Sequence, residues 1–289
     1  MKKNNLYYVK DKFLDIYSSI CNLTDEEILH KPVDNFRLHF ERLNSLAAID
    51  VDDRDVEEIL CDKKLKPVIK HISCLKKTYG LKMEIELVRS IIDDPDPWRL
   101  IKHFKFYPNY LELAHMEYKG GKLKPNDMAA FIGSGPLPMS LVSLYKEYGV
   151  KGIGIEQVPE YANLSQKLIK SLELTDFIRI ISGNHLFLPA HEKIQMVMVG
   201  ADAGPKDEIF THLAKTLEHG TKLSYRIYEK GLRRLLDDKP VLDIPHEFKE
   251  YARIRPKPPV NNTSVFLVKN GDEITSPSRR TDLGQVCSI

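Results

Sequence analysis

From residue 128 onward the chain repeats one pattern: a short apolar run, a longer amphipathic stretch, another short apolar run. Residues 128–132, 150–155, 178–182, 194–199 and 222–227 read as strands bounded by turn residues. Residues 139–148, 161–172 and 206–217 carry apolar side chains three or four apart and read as helices. Such alternation predicts a parallel sheet with helices on both faces, because parallel strands need a long crossover and a helix supplies it. A last strand at 262–268 is expected to complete the sheet. The fold class expected is α/β, with a Rossmann-like sheet domain over residues 119–270.

The first 118 residues read differently. Phe13, Ile16, Tyr17 and Ile20 fall at helical spacing, as do Phe36, Phe40, Leu43 and Ala47. The pattern continues over 55–65, where Pro67 is expected to interrupt it, and resumes over 68–88. Asp96 and Pro97 are a cap and a first-turn proline for another helix, and a further one is expected over 109–119. No stretch alternates apolar and polar residues, so residues 1–118 predict a helical domain. The turn-rich GGKLKPND at 120–127 marks the change. Residues 271–289 are polar and are expected to form a mobile tail.

The stretch FIGSGPLPMS at 131–140 ends the first strand. In a doubly wound sheet the ligand sits beyond the carboxyl ends of the strands. Gly133, Ser134, Gly135 and Pro136 fall at that edge, and glycine there lets backbone approach a ligand closely. The second strand ends in Glu156, placed to accept the two hydroxyls of a ribose. The third ends in Ser182-Gly183-Asn184, where the Asn184 amide can meet an adenine. A dinucleotide fingerprint would want a third glycine at the position of Pro138. The three stations suit an adenosine-bearing ligand without a pyrophosphate, and S-adenosylmethionine is such a ligand.

The balance of 43 basic and 41 acidic side chains, a formal charge of +2, gives no electrostatic reason to expect nucleic acid or an anionic membrane. No segment approaches the roughly 20 apolar residues of a membrane span. Cys21, Cys61, Cys74 and Cys287 lie far apart with no CxxC pair, so reduced thiols and a cytoplasmic location are expected. The ten histidines include no HExxH, and His185/His191 and His212/His219 lack i, i+4 spacing, so no metal site is expected.

FIGSGPLPMS resembles the glycine turn of nicotianamine synthases. The resemblance extends to FYPNYLEL at 106–113, YRIY at 225–228 and VNNTSV at 260–265, and spans roughly residues 75 to 268. It implies a helical N-terminal domain over a class I methyltransferase-type sheet domain. It also implies that S-adenosylmethionine is a co-substrate giving up its 3-amino-3-carboxypropyl group to the amine of an amino acid such as glutamate, with methylthioadenosine released. The implied product is a small metal chelator, the transfer iterative, the partners small molecules only, and a homodimer possible.

The family's catalytic tyrosine matches the second tyrosine of FYPNY, Tyr110. Its catalytic glutamate matches the first acidic residue of KMEIE, Glu84. Glu84 and Glu86 are about 200° apart around a helix, so only one can face a pocket. Arg226 and Tyr228 follow a strand-like run on one face, and the arginine fork suits an amino-acid carboxylate. Asn261 and Asn262 can read amino or carboxylate groups. Asp202, after the fourth strand, can meet the methionyl amine. Asn109 stands where relatives carry arginine, and Asn184 where they often carry an acid. Competing readings are a single-transfer, histidine-primed opine-metallophore synthase, a conventional methyltransferase, and a sensor that binds S-adenosylmethionine without consuming it.

Overall fold

The computed structural model describes residues 2–49, 51–189, 191–229, 231–236, 243–257, 260 and 262–270. Seven helices come first: α1 (Lys2–Ile20), α2 (Asp25–His30), α3 (Asp34–Ala47), α4 (Asp53–Cys61), α5 (Lys66–Ile92), α6 (Pro97–His103) and α7 (Tyr107–Gly120). Local chemistry fixes several starts. Thr24 and Glu27 form a reciprocal capping box at α2, and the Asp52 and Asp96 carboxylates accept N–H groups of α4 and α6. Pro67 does not interrupt a helix, as the sequence reading had it. The break falls at 62–65, and Pro67 lies in the first turn of α5, where its missing N–H has no intrahelical partner to lose.

Apolar side chains of α1, α3, α4 and the first half of α5 close one core, with Phe13, Phe40, Ile59, Ile72 and Leu75 almost fully buried. The second half of α5 belongs elsewhere: Val88 and Ile91 join Ile101 of α6 and Ala114 of α7 in the core that covers the sheet.

The rest is β1 (Met128–Ile132), α8 (Met139–Tyr148), β2 (Lys151–Glu156), α9 (Pro159–Ser171), β3 (Ile178–Ser182), β4 (Met196–Val199), α10 (Lys206–Thr216), β5 (Lys222–Ile227), β6 (Phe248–Ile254) and β7 (Thr263–Lys269), with short 3-10 turns at His185–Phe187 and Gly231–Leu236. The strands form one sheet in the order β3-β2-β1-β4-β5-β7-β6. β1 to β5 are parallel, and β7 runs antiparallel between β5 and β6. Side chains alternate between two cores. Ala129, Phe131, Met196 and Met198 face α7, α8 and α9, while Ala130, Ile132, Val197 and Val199 face α10. The result is the Rossmann-like α/β layering expected from the sequence.

β6 was not foreseen. Only its first residue is buried, its register slips between Glu250 and Ala252, and its charged side chains pair locally: Arg253 binds Glu250 and Glu229. An edge strand of this kind has no period-2 apolar signal to read. After β5 the 3-10 turn at Gly231–Leu236 returns to the helical core, inserting Leu232 and Leu235.

Candidate active site

The loops after β1, β2, β3 and β4 and the end of β5 meet at the carboxyl edge of the sheet. Opposite them stand the middle of α5 and the start of α7. Between the two walls lies a cavity of about 380 Å³.

The sheet wall is built from backbone. Gly133 and Gly135 have φ of +74° and +69°, in the left-handed region where a side chain is strained. A Cβ on Gly133 would also lie 2.7 Å from that of Ala203. Glu156, 6% exposed, stitches the turn: Oε2 accepts from the Gly135 N–H and Oε1 from the Val158 N–H, both at 2.9 Å. Each oxygen keeps a further lone pair, so the carboxylate can accept from two ligand hydroxyls without giving up the turn. Pro136 and Pro138 delay α8 until Met139, so its N-terminus does not start at the glycines. Asn184 lines the cavity at the end of β3. Its Oδ1 caps the following 3-10 turn by accepting from the Leu186 N–H at 3.0 Å, and its NH₂ remains as a donor. Asp202 lines the cavity in the loop after β4, with Lys77 donating to its backbone carbonyl at 3.4 Å.

The helical wall carries an acid and a phenol in contact. Lys76, Lys77, Gly80, Leu81 and Glu84 form one stripe of α5 along the cavity, and α7 adds Tyr110. The Tyr110 hydroxyl donates to Glu84 Oε1 at 3.1 Å. Burial pushes the Glu84 carboxyl up to about 7, against the Tyr110 hydrogen bond; the negative charges of Asp202 and Glu156 add to the rise. Burial, and then the neighbouring Glu84 charge, hold the Tyr110 phenol well above its ordinary range. Glu84 Oε2 lies 3.5 Å from where a Gly135 Cβ would be, so the two walls approach each other at the glycine turn. Glu86 faces elsewhere and pairs with Lys82 at 3.0 Å, while Tyr107 packs among the apolar residues over the sheet.

Arg226, near the end of β5, also lines the cavity. Its Nε donates to Glu117 Oε1 at 3.2 Å and its Nη2 to Ser140 Oγ at 3.3 Å. Tyr228 does not line it. β5 ends at Ile227, so strand alternation no longer governs the next residues, and the Tyr228 ring lies 5.8 Å from the Lys76 ammonium. Asn262 sits in the bend before β7, also off the cavity lining, and Asn261 lies outside the described residues. The structure thus brings ten of the expected residues together: Glu84, Tyr110, Gly133, Ser134, Gly135, Pro136, Glu156, Asn184, Asp202 and Arg226. Sequence reasoning missed Lys76, Lys77, Ser140 and Glu117. Glu117 had a signal, since it follows Tyr110 by seven residues, two helical turns on the same face. Among the described residues no group of three or more His, Cys, Asp or Glu is placed to hold a metal ion, and no helix is long and apolar enough to cross a membrane.

Comparison with known proteins supplies the rest. A family model described as "Nicotianamine synthase protein" matches residues 2–273. Nicotianamine synthase 2 of Arabidopsis thaliana is 27% identical over 263 residues, covering 83% of this chain and 76% of the relative. Among solved structures, a glutamate-to-glutamine mutant of MtNAS in complex with S-adenosylmethionine superposes with a TM-score of 0.81 at 27% identity, over 90% of this chain and 98% of that one. MtNAS in complex with MTA and tNA gives the same TM-score and identity over 91% and 97%.

Proposed function

This chain belongs to the nicotianamine synthase family, and from that premise we propose that it transfers 3-amino-3-carboxypropyl groups from S-adenosylmethionine to the amine of an amino acid such as glutamate, repeatedly. The observation that carries the reading is the Tyr110–Glu84 hydrogen bond facing the glycine turn and Glu156 across one cavity. A donor bound with its ribose at Glu156 and its adenine near Asn184 would lead its methionyl part toward the acid pair, with Asp202 near the methionyl amine.

In each transfer the acceptor nitrogen attacks the γ-carbon of the donor's amino-acid chain. The carbon–sulfur bond breaks, its electron pair neutralises the sulfonium, and methylthioadenosine leaves. All three carbons on the sulfonium share one leaving sulfur, so which one reacts is a matter of alignment at about 3–3.5 Å. The nitrogen must first lose a proton. Glu84, poised near neutrality, would receive it, with Tyr110 hydrogen-bonded to the amine and to the carboxylate. Arg226 would take an amino-acid carboxylate.

Residues 1–118 would act as the cover and 119–270 as the donor-binding unit. The position of α5 and α7 over the cavity, where they would shield the reacting groups from water, supports that division. Mass measurement of products after incubation with S-adenosylmethionine and a panel of amino acids tests the reading. A ladder of equal increments on one acceptor, with methylthioadenosine, is expected. A single increment at excess donor would remove iteration, and S-adenosylhomocysteine in place of methylthioadenosine would make the protein a methyltransferase.

A further inference from the structure

Glu117 stands one turn from the end of α7, 1% exposed, and faces no bulk solvent. Its Oε1 accepts from both Arg226 Nε and Ser264 Oγ, each at 3.2 Å, and its Oε2 has no partner among the described residues. An arginine and a carboxylate paired for packing alone would favour the two-bond fork, using both oxygens. Here the fork is not made. The Nη2 of Arg226 turns to Ser140 in the first turn of α8, directly after the glycine loop. The guanidinium plane is therefore set from three elements: α7 through Glu117, α8 through Ser140, and β7 through the hydroxyl that holds Glu117. Two of its nitrogens are anchored. The Nη1 N–H pair and the second Nη2 hydrogen remain, on a side chain that lines the cavity.

The position of this arginine says which part of the reaction it serves. The adenosine stations lie on β1, β2 and β3. Arg226 lies on β5, two strands beyond β1 in the opposite direction, close enough to Tyr110 for its charge to act on the phenol. α7 carries Tyr110 and Glu117 two turns apart, so one rigid helix sets both the hydroxyl and the anchor of the guanidinium.

We propose that Glu117 is a positioning residue, which with Ser140 locks the Arg226 guanidinium in the orientation that receives the carboxylate of the amino-acid acceptor. The inference rests on the reading of Arg226 as a carboxylate receptor. An unanchored arginine would keep its charge but lose its plane, and a carboxylate bound through two parallel N–H groups depends on that plane.

The test is steady-state and single-turnover kinetics with S-adenosylmethionine and the acceptor found by product mass, L-glutamate in the first instance. Glu117→Gln, which keeps an acceptor for Nε but removes the charge, should raise the acceptor KM about 10- to 100-fold, the range for bonds to charged groups. Donor affinity and the rate at saturating acceptor should stay within about 3-fold of wild type. In an Arg226→Lys background the same substitution should add nothing, because the plane it fixes is gone. An unchanged acceptor KM in Glu117→Gln, or an equal effect in the Arg226→Lys background, overturns the proposal. Should Glu117→Gln fail to fold, Ser140→Ala removes the second anchor without altering charge. It must raise the acceptor KM by itself, and an unchanged value overturns the proposal equally. If Arg226→Lys leaves the acceptor KM unaltered, the reading of Arg226 fails and takes the inference with it. If only the Arg226 variant responds, the inference alone fails.

Discussion

The two walls of the cavity are made by different means. The sheet wall is set by paired strand ends: two glycines in the left-handed region after β1, a carboxylate at the end of β2 pinned by two backbone N–H groups, and a capped turn after β3. The helical wall has no such pairing to set it. Glu84 and Tyr110 are 26 residues apart, on separate helices, and meet only because α5 and α7 both reach the cavity above the sheet. One wall presents fixed dipoles suited to holding a nucleoside. The other presents a carboxyl and a phenol displaced from their ordinary ranges, suited to moving a proton. On the proposed reading recognition and chemistry are separable, and substitutions should separate them.

The largest effects belong to the helical wall. Glu84→Gln and Tyr110→Phe should each lower single-turnover formation of methylthioadenosine by about 10²–10⁴, the usual contribution of a general acid or base. Calorimetric affinity for S-adenosylmethionine should hold. If affinity falls as much as rate, the division between the walls is wrong.

The sheet wall should give the opposite signature. Gly135→Val puts a β-branched residue at φ of +69° and aims its side chain at Glu84, so donor binding should fail before chemistry is reached. Glu156→Ala should weaken the donor by about 1.5–3 kcal/mol through lost charge-assisted bonds. It should also cost stability, because the Gly135 and Val158 N–H groups lose their acceptor. Wild-type donor affinity in Glu156→Ala would take that residue out of the site.

A pH series sharpens the contrast further. At saturating donor the transfer rate should rise with pH around 7, as Glu84 ionises, and this limb should vanish in Glu84→Gln. Stability moves the other way. The folded carboxyl holds its proton up to about 7, whereas an unfolded one releases it near 4.5. Between those values the folded state binds more protons, so the Glu84 contribution to stability falls as pH rises through that window. Relative to the parent, Glu84→Gln should therefore gain on the order of 1–3 kcal/mol between pH 4.5 and 7.5, read by thermal melting at each pH. A flat difference would mean that Glu84 is not held neutral by its surroundings.

The smallest effects should come from the neighbours one register away. Glu86→Gln breaks a pair with Lys82 that is half open to solvent, worth about 0–1 kcal/mol, and Tyr107→Phe removes a hydroxyl off the cavity. Both should leave rate and donor affinity near wild type. Larger losses there than at Glu84 and Tyr110 would shift the assignment of the pair.

What could be read from the sequence follows the same division. The glycine turn, Glu156 and Asn184 each sit at or within three residues of a strand end, so periodicity and turn chemistry place them. Periodicity alone could not choose Glu84 from a lysine-rich helix, nor Tyr110 from a helix with Leu111 and Leu113. The family resemblance singled them out, and the meeting of α5 and α7 at the cavity joins them. Glu117 shares the face of Tyr110 two turns on, but nothing local says that β5 will pass an arginine beside it. Pro67 was misread because a proline at a helix start and a proline in its interior look alike until the break at 62–65 is seen. β6 escaped because an edge strand need not alternate.

The long helix α5 has a bearing on traffic. At 27 residues it is about 40 Å long, and its two halves are bolted into different cores. Leu232 and Leu235, returning from the sheet into the helical core, add a second strut. To swing the helices away from the sheet like a door would mean snapping that rod or stripping one of its halves bare. Motion of single side chains at the rim, Lys76 and Lys77 among them, breaks neither core. If the transfer is iterative as proposed, a frame that resists wholesale opening would act as a ratchet: the spent nucleoside would leave past side chains at the rim while the half-built product stayed held.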